Sequence, residues 1–156
     1  MIRNLQKNIL FVGEPMSYEN YAELYGWYQE KLPLFVPRFK IGGLAMDVSE
    51  AIAKINTCSY SGVLLESLVF PLGKEGDKYA NAVNKFSKFD HPPHIWRSTG
   101  LYMVKYSIKN GLVCVVRGLD ESEEELNEAK KLGARIVCNK INSKVRDTLN
   151  LFRMPL

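Results

Sequence analysis

Five polar residues stand just beyond short apolar runs in this chain. Glu14 follows Asn8-Ile9-Leu10-Phe11-Val12 and Gly13. Glu66 and Ser67 follow Gly62-Val63-Leu64-Leu65. Arg117 follows Leu112-Val113-Cys114-Val115-Val116, and Lys140 follows Ile136-Val137-Cys138 and Asn139. If the runs are parallel strands of one open sheet, their carboxyl ends border the crevice where such sheets bind ligands. Carboxylates, a hydroxyl, a guanidinium and an amine converging there can hold an anion or a metal ion. Either Glu66 or Ser67 faces the crevice, because one residue of register exchanges them.

Other arrangements offer less chemistry. Asp90-His91-Pro92-Pro93-His94 places two prolines between the histidines, and no further His or Cys stands nearby, so it reads as an exposed loop rather than a metal knuckle. Both histidines sit in that irregular stretch, which argues against a Ser-His-Asp set. There is no glycine-rich dinucleotide loop and no Walker lysine loop. The segment after the first run, Gly13-Glu14-Pro15-Met16-Ser17, would repel a flavin phosphate through Glu14. Cys58, Cys114 and Cys138 form no CxxC pair and read as small buried hydrophobes. Trp96 and Arg97 are the residue types favoured at protein contacts. Packing over the core edge is the simpler reading for Trp96, as it is for Tyr18, Tyr21, Tyr25 and Tyr28 on one helix.

The elements that must position these residues alternate. The apolar run 8–12 predicts a buried parallel strand. Ser17 is a candidate cap for a helix carrying Tyr21, Leu24, Tyr25, Tyr28 and Leu32 and ending at Pro33. A second, weaker strand is expected over Leu34-Phe35-Val36 and Phe39-Lys40-Ile41, closed by Gly42-Gly43. Asp47-Val48-Ser49-Glu50 is a capping-box pattern ahead of a helix burying Val48, Ala51, Ile52 and Ile55. A third strand spans 62–65. Residues 72–97 then break the rhythm with glycines, prolines and charges, leaving room for a short helix over 81–89. A helix through Leu101, Val104 and Ile108 stops at Asn110-Gly111, and a fourth strand occupies 112–116. Ser122-Glu123-Glu124-Glu125 opens another helix, in which the acidic cluster suits the positive end of the dipole. A fifth strand follows at 136–138. A last helix carrying Val145, Leu149 and Phe152 is capped by Asn142 or Ser143.

At 156 residues, 46% apolar and 24% charged, the chain has the make-up of one folding domain rather than a disordered segment. A net charge of +4 spread along the sequence lacks the clustering that a nucleic-acid surface needs. No apolar run is long enough to span a bilayer. The opening Met1–Lys7 leads straight into a strand-like run, which predicts no cleaved leader and a cytoplasmic protein.

The order and spacing of Asn8–Glu14, Val63–Pro71, Leu112–Gly118 and Gly133–Lys140 resemble the receiver domain of bacterial response regulators, the CheY-like superfamily. The resemblance covers nearly the whole chain. It implies an acidic pair after the first strand and a phosphate-accepting Asp after the third, together holding Mg²⁺. It also implies a Ser or Thr after the fourth strand and a Lys after the fifth. Lys140 matches. The acidic pair has become Gly13-Glu14, and four residues before Pro71 stands Ser67, with Glu66 beside it. Arg117 takes the hydroxyl position, Val137 the aromatic switch position and Ile141 the proline position. An aspartyl phosphate cannot form without Asp, and no general base is evident for Ser67. Arg117 would bring a fixed positive charge to the phosphoryl position and could pair with Glu66 or Glu14.

The expectation is therefore one α/β domain over 1–156 with an irregular insertion at about 72–97. Its core is a doubly wound, five-stranded parallel sheet in the order 2-1-3-4-5, with helices on both faces. The expected function is phosphorylation-independent, receiver-like signalling through another protein, with no catalysis, cofactor or metal. Contact is expected through the insertion, including Trp96 and Arg97, and through the side made by the fourth helix, fifth strand and fifth helix, a side that also suits a homodimer. Neither membrane nor nucleic acid is expected as a partner. The alternative is a small enzyme or anion-binding protein using Glu14, Glu66, Ser67, Arg117 and Lys140 on the same fold.

Overall fold

The strands read as unbroken apolar runs because both of their faces are covered. The structure, a computed structural model, describes residues 7–31, 39–68, 70–86, 96–117, 123–137 and 145–153. In chain order the elements are β1 (Lys7–Val12), α1 (Pro15–Lys31), β2 (Phe39–Ala45), α2 (Val48–Thr57), β3 (Gly62–Leu65), α3 (Gly76–Asn84), α4 (Trp96–Lys109), β4 (Val113–Arg117), α5 (Glu123–Lys131), β5 (Arg135–Val137) and α6 (Val145–Arg153). All strand pairs are parallel and the order is β2-β1-β3-β4-β5, as the sequence predicts.

Side chains alternate across the sheet. Leu10, Val12, Val63, Leu65, Cys114 and Val116 face a cluster completed by Val48, Ala51 and Ile52 of α2, Leu101 and Val104 of α4, and Ala129 of α5. Ile9, Phe11, Leu64, Val115 and Val137 face the other side, under Leu149 and Phe152 of α6. Tyr18 of α1 meets Phe11 edge-on, with centroids 5.7 Å apart. Every residue of β3 is buried. At about 1.5–3 kcal/mol for each large apolar side chain buried, this central sheet is the mechanical base of the crevice.

The structure corrects several boundaries. α1 starts at Pro15, so Ser17 lies inside the helix rather than capping it. Proline fits the first helical position because its missing N–H would have no partner there, and the Tyr18 N–H already reaches the Glu14 carbonyl. β2 runs through Gly42-Gly43 instead of ending there. Its register slips between Ile9–Ile41 and Leu10–Gly43, leaving Gly42 as a bulge. A Cβ on Gly42 would lie 2.5 Å from the Asn8 Oδ1, and one on Gly43 would strike the Tyr60 hydroxyl. A bulge on an edge strand also blunts pairing with another chain. Residues 34–36, expected to begin this strand, lie outside the described residues.

The stretch read as irregular contains α3, which begins at Gly76, ahead of the expected 81–89, and α4 begins at Trp96. Among the described residues there are therefore six helices, the five of the expected alternation and the short one for which the insertion left room. α3 starts early because Gly73, at φ +88°, turns the chain and the Glu75 N–H is received by the Ser49 hydroxyl at 3.1 Å. β4 starts and ends one residue late. The Leu112 N–H is spent on the Ser107 carbonyl of the α4 end (3.0 Å), so Leu112 cannot join the ladder. β5 is Arg135–Val137; Cys138, Asn142 and Ser143 lie outside the described residues. The Asp47 cap forms as expected, its Oδ1 accepting from the Glu50 N–H at 2.7 Å. The reciprocal bond goes from the Met46 N–H to Glu50, at 3.4 Å.

Candidate functional site

The carboxyl ends of β1, β3 and β4 line up because their registers leave no stagger. Val12 is opposite Leu65, and Leu65 is opposite Val116. One step further, the Gly13 N–H bonds the Ala45 carbonyl (2.9 Å) and the Glu66 N–H bonds the Val12 carbonyl (3.0 Å). The ladder thus continues past the strands and sets Gly13 beside Glu66. By the two-residue period Gly13, Glu66 and Arg117 fall on the side of Phe11, Leu64 and Val115.

Glu66 Oε2 lies 4.0 Å from Arg117 Nε, and the two side chains are only 13% and 8% exposed. This pair links the ends of β3 and β4 across the middle of the crevice. Gly13 makes room for it. A Cβ there would lie 2.9 Å from the Glu66 Cβ and 3.0 Å from Phe11 Cε1. Of the two residues the sequence leaves open, Glu66 is the one brought against Gly13 and Arg117. Ser67 follows, half-buried, at the start of the loop. Glu14 is exposed at the mouth, ahead of α1. Lys140 lies outside the described residues, as do the side chains of Trp96 and Arg97, whose backbone opens α4.

The loop that carries Glu66 and Ser67 is held from two directions. Its carbonyls at Pro71 and Leu72 receive the N–H groups of Val48 and Ser49, the first residues of α2, both at 3.0 Å. The Ser49 hydroxyl also donates to the Leu72 carbonyl at 2.6 Å. On the other side, the N–H of Gly100, the fifth residue of α4, reaches the Leu68 carbonyl at 3.1 Å. The buried Thr99 hydroxyl donates to the Phe70 carbonyl at 2.7 Å and accepts from the Phe70 N–H at 3.3 Å. Loop carbonyls thus satisfy donors at the start of α2, where an anion could otherwise bind.

Sequence reasoning named Gly13 only as a lost acidic position, and it missed Thr99 and Gly100. The last left a signal: a glycine inside a helical pattern is costly without a packing reason. Here a Cβ would run into the Leu68 backbone, 2.6 Å from its carbonyl carbon. Burial pushes the Cys114 thiol up to about 12, a nearby Ser107 hydroxyl acting weakly the other way. That agrees with its reading as a hydrophobe. Cys58 is exposed. Among the described residues no group of His, Cys, Asp and Glu is arranged to hold a metal ion. No described helix is long and apolar enough to cross a membrane.

No family model matches the sequence, and no curated protein does. Solved structures do match. The isolated REC domain of RcsB from Salmonella enterica serovar Typhimurium, determined with the phosphomimetic BeF3-, superposes with a TM-score of 0.58 at 13% identity, covering 92% of this chain and 83% of that one. The Francisella response regulator 1452 receiver domain gives 0.53 at 14% identity, covering 94% and 97%. The fold is that of a response-regulator receiver. A structure of two RcsB dimers bound to two parallel DNAs gives a TM-score of 0.65 at 13% identity. In the other RcsB structures, that one included, this chain spans 52–66% of the solved chain. Relative to the strand–helix alternation of the receiver fold, α3 is an additional helix between β3 and β4.

Proposed function

We propose that this chain is a receiver-like regulatory module that works by contact with another protein and carries out no phosphoryl transfer. The observation that carries this reading is the Glu66–Arg117 pair, nearly buried at the ends of β3 and β4. A receiver of the kind the sequence resembles needs several carboxylate oxygens there for Mg²⁺, a small ion that demands near-octahedral oxygen ligands. The residues present do not fit. Position 13 has no side chain and no room for one beside Glu66. The Glu66 carboxylate faces a guanidinium, and Glu14 is exposed at the mouth. Arg117 brings a permanent positive charge to the place where a phosphoryl group would need a hydroxyl partner. The crevice is therefore neutralised from within, and Glu66 and Ser67 serve no acceptor chemistry.

Output then depends on surfaces. Among the described residues the exposed large apolar side chains are Met16, Leu24 and Met46. Met16 and Met46 follow the paired ends of β1 and β2, and methionine adapts readily to a partner. The α3 region, with Trp96 and Arg97 beyond it, is a second contact candidate. The side made by α5, β5 and α6 is a third and suits a homodimer.

The test is incubation with a small acyl phosphate and Mg²⁺, followed by intact mass measurement. The expected spectrum is unchanged. A phosphoryl adduct mapping to residues 66–67 overturns the reading. Sedimentation over a range of protein concentrations separates self-association from a need for a different partner.

A further inference from the structure

α3 is connected to the crevice by the loop of residues 66–75, and the described residues of that loop are held at short intervals. α3 packs against α4, the Tyr79 ring lying 6.3 Å from that of Tyr102, and Val83 of α3 is buried. Immediately before α3, the Glu75 N–H is held by the Ser49 hydroxyl, and Gly73, at φ +88°, leaves no room for a Cβ beside the Asp47 carboxylate. Next come the Leu72 and Pro71 carbonyls on the α2 start, then Phe70 on Thr99 and Leu68 on Gly100. The segment ends at Glu66 and its pair with Arg117. Among the described residues of this loop, contacts thus recur every one or two positions, at 66, 68, 70, 71, 72, 73 and 75.

We propose that α3 and the 66–75 loop form one conformational unit, so that a partner protein engaging α3 is felt at the Glu66–Arg117 pair. The chain then needs no phosphate to change the crevice. Displacing α3 draws on the Ser49 anchor, then on Thr99 and Gly100, and finally moves Glu66 away from Arg117. A nine-residue helix has little stability by itself, so its seat on α4 and its tether at Ser49 decide whether it is docked. This rests on the regulatory reading above and adds to it the place where regulation enters.

Amide hydrogen exchange on the full chain tests the proposal with two variants that act at opposite ends of the tether. Ser49→Ala removes the hydroxyl that holds Leu72 and Glu75, and Val83→Ala loosens the α3 seat. In both, the N–H groups of Phe70, Gly100 and Glu66 are expected to exchange roughly tenfold faster or more, while those of Val63 and Leu64 keep their protection. The Glu75 N–H loses its acceptor in Ser49→Ala whatever else happens, so it reports that the variant worked. If Glu75 opens in Ser49→Ala while Phe70, Gly100 and Glu66 keep wild-type rates, the loop is not a unit and the proposal fails. It fails likewise if Val83→Ala frees α3 alone. Neither result touches the acyl phosphate experiment, so failure of the coupling and failure of the regulatory reading are separately visible.

Discussion

Replacing Glu66 by Gln keeps the shape of the side chain and removes its charge, leaving Arg117 nearly buried beside a neutral amide. At the observed 4.0 Å, the Coulomb attraction is about 4 kcal/mol for an effective dielectric constant of about 20. Breaking a buried pair by removing one member typically destabilises by about 3–5 kcal/mol, because the remaining charge stays out of water. Exposures of 8% and 13% place this pair at the lower end. Glu66→Gln is therefore expected to lower stability by about 3 kcal/mol, or about 6–12 °C in Tm for a chain of this size. Urea unfolding measures it, and the loss should persist in about 1 M salt, which screens exposed pairs but hardly reaches buried ones. Combining Glu66→Gln with Arg117→Gln should return part of the loss, giving a coupling energy above about 1 kcal/mol. A loss below about 0.5 kcal/mol that vanishes in salt is the behaviour of a solvated surface pair. That result would refute the closed crevice on which the functional reading stands.

Three further outcomes are expected. Gly100→Ala forces a methyl group into the Leu68 backbone and should cost about 3 kcal/mol; urea unfolding decides it. Thr148 is fully buried on α6, and among the described residues its hydroxyl has no hydrogen-bond partner. Thr148→Val should therefore stabilise by about 1 kcal/mol, and a destabilised variant would mean that the hydroxyl is used. Cys114 ionises near 9.0 when unfolded and near 12 when folded. Above about pH 9 the unfolded chain gives up a proton that the folded chain keeps, so the contribution is full below pH 9 and falls as pH rises toward 12. The slope is up to about 1.4 kcal/mol per pH unit. Cys114→Ala should flatten that alkaline limb in pH-dependent unfolding, and in the native protein a thiol reagent should modify Cys58 well before Cys114.

The sheet was legible because its information is local. Runs such as Ile9–Val12 and Val113–Val116 are apolar at every position, which only a strand covered on both faces requires, and the strand–helix alternation leaves few topologies. Glu66 and Arg117 were legible as strand-end residues, but not as partners. Their meeting depends on the matched registers of β1, β3 and β4 and on the absence of a side chain at Gly13, which are tertiary facts. β2 was hard to bound because Gly42 and Gly43 look like a terminator, yet they are present so that Asn8 and Tyr60 can lie over the strand. α3 was misplaced because its start is fixed by Ser49, 26 residues earlier in the chain. Trp96 and Arg97 remain placed by their backbone alone, and Lys140 lies outside the described residues.

The proposed function requires that the crevice, occupied by its own Glu66–Arg117 pair, take neither Mg²⁺ nor a phosphoryl group. An amide NMR titration with Mg²⁺, followed by beryllofluoride as the phosphoryl mimic, tests it most directly. The expected spectrum shows no saturable shift at Gly13, Glu14, Glu66, Ser67 or Arg117. Saturable shifts at those amides would contradict the account and return the crevice to phosphoryl chemistry.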